Sequence, residues 1–113
     1  VAAGERWRGS LGPLRPAVED LLGAGAVVRA LMHAGRPETT VSPEARAALA
    51  AFDAARSDLC TWLITSASGQ ELVHRGWSDD VEAAAVLDAE MVAPVLDGPE
   101  FRGVTPDTPG PSG

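Results

Sequence analysis

Lysine, asparagine and tyrosine are absent from the chain, and isoleucine and cysteine occur once each, as Ile64 and Cys60. A lone cysteine excludes an intramolecular disulfide, and with no thiol cluster there is no basis for a structural zinc site. That points to a reducing, cytoplasmic setting. Long apolar runs are missing too. The most apolar stretch, 21–32, follows Glu19 and Asp20 and contains Arg29, whereas a signal peptide needs an unbroken apolar segment behind basic residues. It is also too short to cross a bilayer, so no membrane partner is expected. The abundance of alanine, glycine, arginine and proline beside these gaps fits the codon bias of a GC-rich genome and carries no functional meaning.

Positive charge is scarce: nine arginines face sixteen acidic residues, for a net charge of −7. Because nucleic-acid affinity rests mainly on Lys and Arg displacing counterions from phosphates, nucleic acid is not an expected partner. The imbalance is uneven. Residues 1–36 hold five arginines and three acids, while residues 37–113 hold four arginines and thirteen acids.

What is present suits one domain. With 113 residues, 45% hydrophobic and 22% charged, the chain has the composition of a small globular protein with a single modest core. Three regions are expected: an arm over 1–12 containing Arg6-Trp7-Arg8, a helical domain over 13–97, and a disordered tail over 98–113, where Gly, Pro, Thr and Ser dominate.

The fold expected for the middle region is all-α, with three helices or possibly four. The first should start at Pro13 or Pro16, carry Val18, Leu21, Leu22, Gly25, Val28 and Met32 at helical spacing, and stop at Gly35. Ser42-Pro43-Glu44 is the clearest local signal, a capping serine, a proline suited to the first turn and an acid at the positive helix end. Ala45, Ala48, Leu49, Phe52, Leu59 and Leu63 follow on one face. The segment 59–75 is divided between two readings, a continued helix and a hairpin pairing 60–65 with 71–75, the latter giving an α+β fold. A last helix, capped by Ser78, runs toward Val95, weakened by Asp88 and stopped by Pro94.

Chemical motifs are sparse. Glu71 and His74 form a Glu-x-x-His pair of the kind that supplies metal ligands on one helix face, but a di-iron site needs two such pairs, and a surface pair is the simpler reading. Gly23-Ala24-Gly25 resembles the start of a dinucleotide loop, yet the context is helical and close packing at glycine accounts for it. Cys60 reads as a buried, inert thiol. No catalytic residue, cofactor or metal is called for. The binding candidates are Trp7, Arg29, His33, Trp62 and His74.

Two functions are weighed. The first is a non-catalytic interaction or accessory protein that self-associates as a homodimer, or docks on a larger protein, through a strip of Leu21, Gly25, Val28 and Leu31 on the first helix. The alternative is a small-molecule-binding helical domain or small enzyme, with a pocket between helices near Trp62, Met32 or Met91. The sequence favours the first by subtraction and leans away from catalysis.

Overall fold

The computed structural model describes residues 5–7 and 11–105. The chain is mostly helical, with five α-helices and two small antiparallel hairpins among the described residues. This corrects the expected three-helix domain, and the reason lies in local capping and turn chemistry at a few positions.

The first hairpin pairs β1 (Glu5–Arg6) with β2 (Leu14–Arg15) and is extended by the Trp7 amide donating to the Pro13 carbonyl at 3.0 Å. It occupies residues expected to open the first helix. Pro16 pushes Arg15 away from helical dihedrals, so α1 starts only at Val18 and runs to His33. Glu19 and Asp20 complement the positive end of its dipole. Gly35, at φ 90°, ends it, in the left-handed region that glycine enters without a Cβ clash.

After a 3-10 turn over 38–40 comes α2 (Pro43–Ala55). Ser42 Oγ accepts the Ala45 amide at 3.3 Å, and Pro43 occupies the first turn as expected. Helices α1 and α2 pack along their length, and Gly25 permits the approach. A Cβ at Gly25 would stand 2.2 Å from the Ala48 carbonyl oxygen and 2.6 Å from the Phe52 Cβ. Of the glycine pair, Gly25 therefore serves helix packing, while a Cβ at Gly23 would meet nothing within 4 Å. Arg29 on α1 and Asp53 on α2 form an ion pair beside this seam.

Leu22, Phe52, Ala55 and Leu59 form the core, with Val18, Ala26, Leu63 and Ala85 packed against it. Each fully buried Leu or Phe contributes about 1.5–3 kcal/mol of apolar transfer. Of the two readings of 59–75 the helical one holds and the hairpin pairing 60–65 with 71–75 does not form, but the helix is broken into α3 (Leu59–Thr65) and α4 (Ala67–His74). The break is Ser66. Its hydroxyl donates to the Leu63 carbonyl at 2.7 Å and accepts the Gly69 amide at 3.0 Å, so it closes one helix and caps the next. Gly69, expected as a helix stop, lies inside α4 instead. A Cβ there would fall 1.9 Å from the Leu63 carbonyl oxygen.

Helix α5 (Ser78–Ala84) is far shorter than expected, and its N-cap is Trp77, without a side-chain cap. Beyond it Asp88 takes φ 53°, a left-handed value that aspartate tolerates better than most residues. Pro94, read as a helix stop, instead sits in β3 (Ala93–Asp97), which pairs with β4 (Glu100–Val104) around Gly98-Pro99. A proline is admissible on such an edge strand because its missing donor faces no partner. Residues 98–105 of the expected tail are thus turn and strand, and 106–113 lie outside the described residues, as do 1–4 and 8–10 of the expected arm. No helix among the described residues is long and apolar enough to cross a membrane.

Candidate active site

Helices α3, α4 and α5 contact one another pairwise and, with α1 and the first hairpin, line a solvent-open cavity of about 270 Å³. Its lining is mixed. Leu63, Leu72, Val81 and Ala84 give an apolar floor, and Glu5, Glu19, Ser66, Ser68, Glu71, Arg75 and Asp80 bring polar groups from β1, α1, α4 and α5, from the Ser66 corner and from just past the end of α4. An apolar pocket with a few convergent polar side chains is the usual form of a small-molecule site.

Arg15 organises one wall. Its side chain is 3% exposed and donates to both carboxylate oxygens of Glu71, at 2.8 and 3.2 Å. It also donates through Nε to Glu5 at 2.9 Å, with a second, shorter contact to the same carboxylate, and to Ser68 Oγ at 3.2 Å. Trp7 lies against the guanidinium, 5.0 Å from its ring centroid. A planar fork is matched to two carboxylates in this way. The hydrogen bonds that Arg15 donates to Glu71 and then to Glu5 raise its pKa still further, so it is charged throughout. Conversely, the Arg15 hydrogen bond holds the Glu71 carboxyl below its ordinary range, with smaller help from the charges of Arg15 and Arg75. Glu71 is therefore an ionised acceptor at neutral pH.

Two further features face the same space. Glu19 Oε2 is buried and, among the described residues, has no hydrogen-bond partner. Arg75 follows the end of α4, its guanidinium 5.9 Å from the Trp77 ring centroid. Among the described residues no three His, Cys, Asp or Glu side chains are grouped to hold a metal ion.

The structure scatters the residues singled out from sequence. Trp7 reaches the site only through Arg15. Arg29 is engaged by Asp53 on another face. His33 and His74 each place Nδ1 on the carbonyl one turn earlier, Arg29 at 2.9 Å and Gln70 at 2.6 Å, so Glu71 and His74 point to different partners despite their spacing. Trp62 and Met91 are exposed and outside the cavity, whereas Met32 lines a separate groove with Val28 and Leu31. Cys60 is exposed, not buried, because it falls on the outer side of the short α3. Of the proposed interface strip, Leu21 and Leu31 are half exposed and Val28 borders the α1–α2 groove. Gly25 is turned inward and committed to α2, so it cannot serve an intermolecular contact.

The sequence reading missed Arg15, Glu5, Ser68, Arg75 and Asp80 as site residues. Arg15 and Glu71 are separated by 56 positions, a distance over which no local spacing rule operates. The available hint was an arginine between two prolines, in a basic segment facing an acidic remainder.

The fold and site together define a small, mostly helical domain with two small hairpins and a cavity of mixed lining between its helices. The chain belongs to the 2-phosphosulpholactate phosphatase family, an enzyme family of coenzyme M biosynthesis, whose family model matches residues 7–99. No curated protein and no solved structure matches it. The match overturns the expectation of a non-catalytic accessory protein acting through homodimerisation or docking, and with it the lean away from catalysis. That expectation failed because it rested on the absence of a contiguous motif, while the polar groups converge from residues spread between 5 and 80.

Proposed function

We propose that the chain serves the hydrolysis of the phosphate ester of 2-phosphosulpholactate, with the α3–α4–α5 cavity receiving the substrate. The observation that carries this reading is the family match across 7–99. The partner it calls for is a small polyanion. In the reaction a water oxygen bonds to phosphorus, the bond from phosphorus to the lactate C2 oxygen breaks, and that oxygen leaves with a proton as the free alcohol. Phosphoryl transfer depends mainly on positioning and charge stabilisation.

The cavity offers parts for both tasks. Arg75 is a cation able to meet phosphate, sulphonate or carboxylate oxygens. Ser66 and Ser68 offer hydroxyls, and the ionised Glu71 carboxylate can orient a water whose proton it accepts by hydrogen bond.

Release of inorganic phosphate from 2-phosphosulpholactate by the purified chain tests the reading. Arg75→Ala should lower kcat/KM by roughly 100-fold, the scale for losing one donor to transition-state charge. Trp62→Ala, outside the cavity, should stay within about twofold of the parent. Full activity in Arg75→Ala would remove the reaction from this cavity, and a chain that releases no phosphate would remove the activity.

A further inference from the structure

We propose that Arg15 is a positioning residue for this site: it clamps the Glu71 carboxylate at the cavity wall and offsets half the negative charge of Glu5 and Glu71, so that an anionic ester can approach Arg75. The proposal rests on the hydrolase reading above and deepens it.

Arg15 cannot bind substrate itself. Its donors are taken by Glu5, Glu71 and Ser68, one face of the guanidinium is covered by Trp7, and its side chain is 3% exposed. It acts instead through the acids it holds, which keep an open side: the Glu5 and Glu71 side chains are 44% and 52% exposed, and both line the cavity. Charge explains the need. Among the described residues four carboxylates, Glu5, Glu19, Glu71 and Asp80, border the cavity, and Arg75 is the one arginine in its lining. A substrate bearing phosphate, sulphonate and carboxylate would be repelled by such a wall. A buried guanidinium behind it reduces that repulsion while leaving the site's own cation free.

The bidentate grip adds a second effect. A carboxylate held by two parallel hydrogen bonds has a fixed plane, which fixes the lone pairs it turns toward the cavity. The groups that face Glu71 are Arg15 from β2, Ser68 from α4, Arg75 just past its end, Glu5 from β1, Asp80 from α5 and Glu19 from α1. Arg15 has the largest influence on its ionisation and keeps it charged into acid.

Two variants separate charge from geometry. Arg15→Gln removes both and should raise KM for 2-phosphosulpholactate by about tenfold or more, while moving the acid limb of the pH–rate profile to higher pH. Arg15→Lys keeps the charge and loses the fork. Its KM should stay within about threefold of the parent while its acid limb still moves up. An arginine that merely supports the fold would lower the active fraction, and hence apparent kcat, with KM and acid limb unchanged; that result overturns the proposal. If Arg15→Gln does not fold, the acid limb of Arg15→Lys decides alone, and an unshifted limb overturns it. Failure of the hydrolase reading is told apart because it is already present in the unmutated chain. The Glu71 carboxyl titration followed by carbon NMR in Arg15→Lys then decides, an unmoved midpoint ruling out the clamp and a raised one upholding it.

Discussion

The two hairpins are built alike and held differently. Each is a pair of short antiparallel strands, a unit that is marginal in water unless something packs against it. The N-terminal hairpin is fastened to α4 by the Arg15–Glu71 pair, and Arg15 is buried at the join. The C-terminal hairpin has longer strands, yet every residue of β3 is exposed, and so are four of the five in β4. Its substantial contacts are between its own strands. Strand length therefore does not decide which hairpin belongs to the body. One long-range ion cluster does, and it also brings Glu5 and Glu71 to the cavity.

The comparison can be broken most severely from the core. Phe52→Ala should cost about 3–5 kcal/mol, the usual range for truncating a buried aromatic. Amide exchange should then show the Trp7 amide losing protection along with α1 and α2, because the first hairpin depends on the body, while the β3–β4 amides keep their parent rates. Equal loss in both hairpins would mean that the second is also docked.

Acid should separate them more gently. The folded pKa of Glu71 lies below its ordinary value, so its contribution is complete above the unfolded carboxylate value and disappears as pH falls through the lower, folded one. Proton NMR from about pH 5 downward should show the first hairpin loosening from α4. Arg15→Lys should move that loosening to higher pH, with the second hairpin unaffected. Unchanged first-hairpin shifts down to complete protonation of Glu71 would contradict the assignment of Glu71 as the fastening.

The smallest effect is expected from deletion. A chain ending at Asp97 loses β4 and should melt within about 2 °C of the parent, since little body surface is uncovered. A fall of several degrees would show that Phe101 or Val104 supports the helices.

Much of the helical framework was legible in the sequence, because its signals are local. Ser42-Pro43-Glu44 announces α2, Gly35 ends α1, and the apolar spacing through Leu22, Phe52 and Leu59 identifies the core. The division at Ser66 was not legible, since a serine in a helix-compatible run reveals its capping role only when its hydroxyl is seen spanning Leu63 and Gly69. The C-terminal hairpin was hidden for a related reason. Pro94, Gly98 and Pro99 read as breakers, and nothing nearby shows that Gly98 with φ 61° joins two strands. The candidate site was the least legible, because Arg15 and Glu71 meet through tertiary packing, and the motif that did stand out, Glu71 with His74, is divided between two unrelated partners.

The corner at Ser66 sets how the chain can vary in length. One residue ends α3 and begins α4, so no slack lies between them, and α4 is oriented as a bracket arm is by its bend. Inserting a single residue after Ser66 would turn α4 by about 100° about its axis, carrying Glu71 from Arg15 and Arg75 from the cavity. The irregular stretch from 86 to 92 has no such duty, and a residue added there displaces only the outer hairpin. Length tolerance along this chain should therefore be lowest at the corner beside the cavity and highest a few residues past α5.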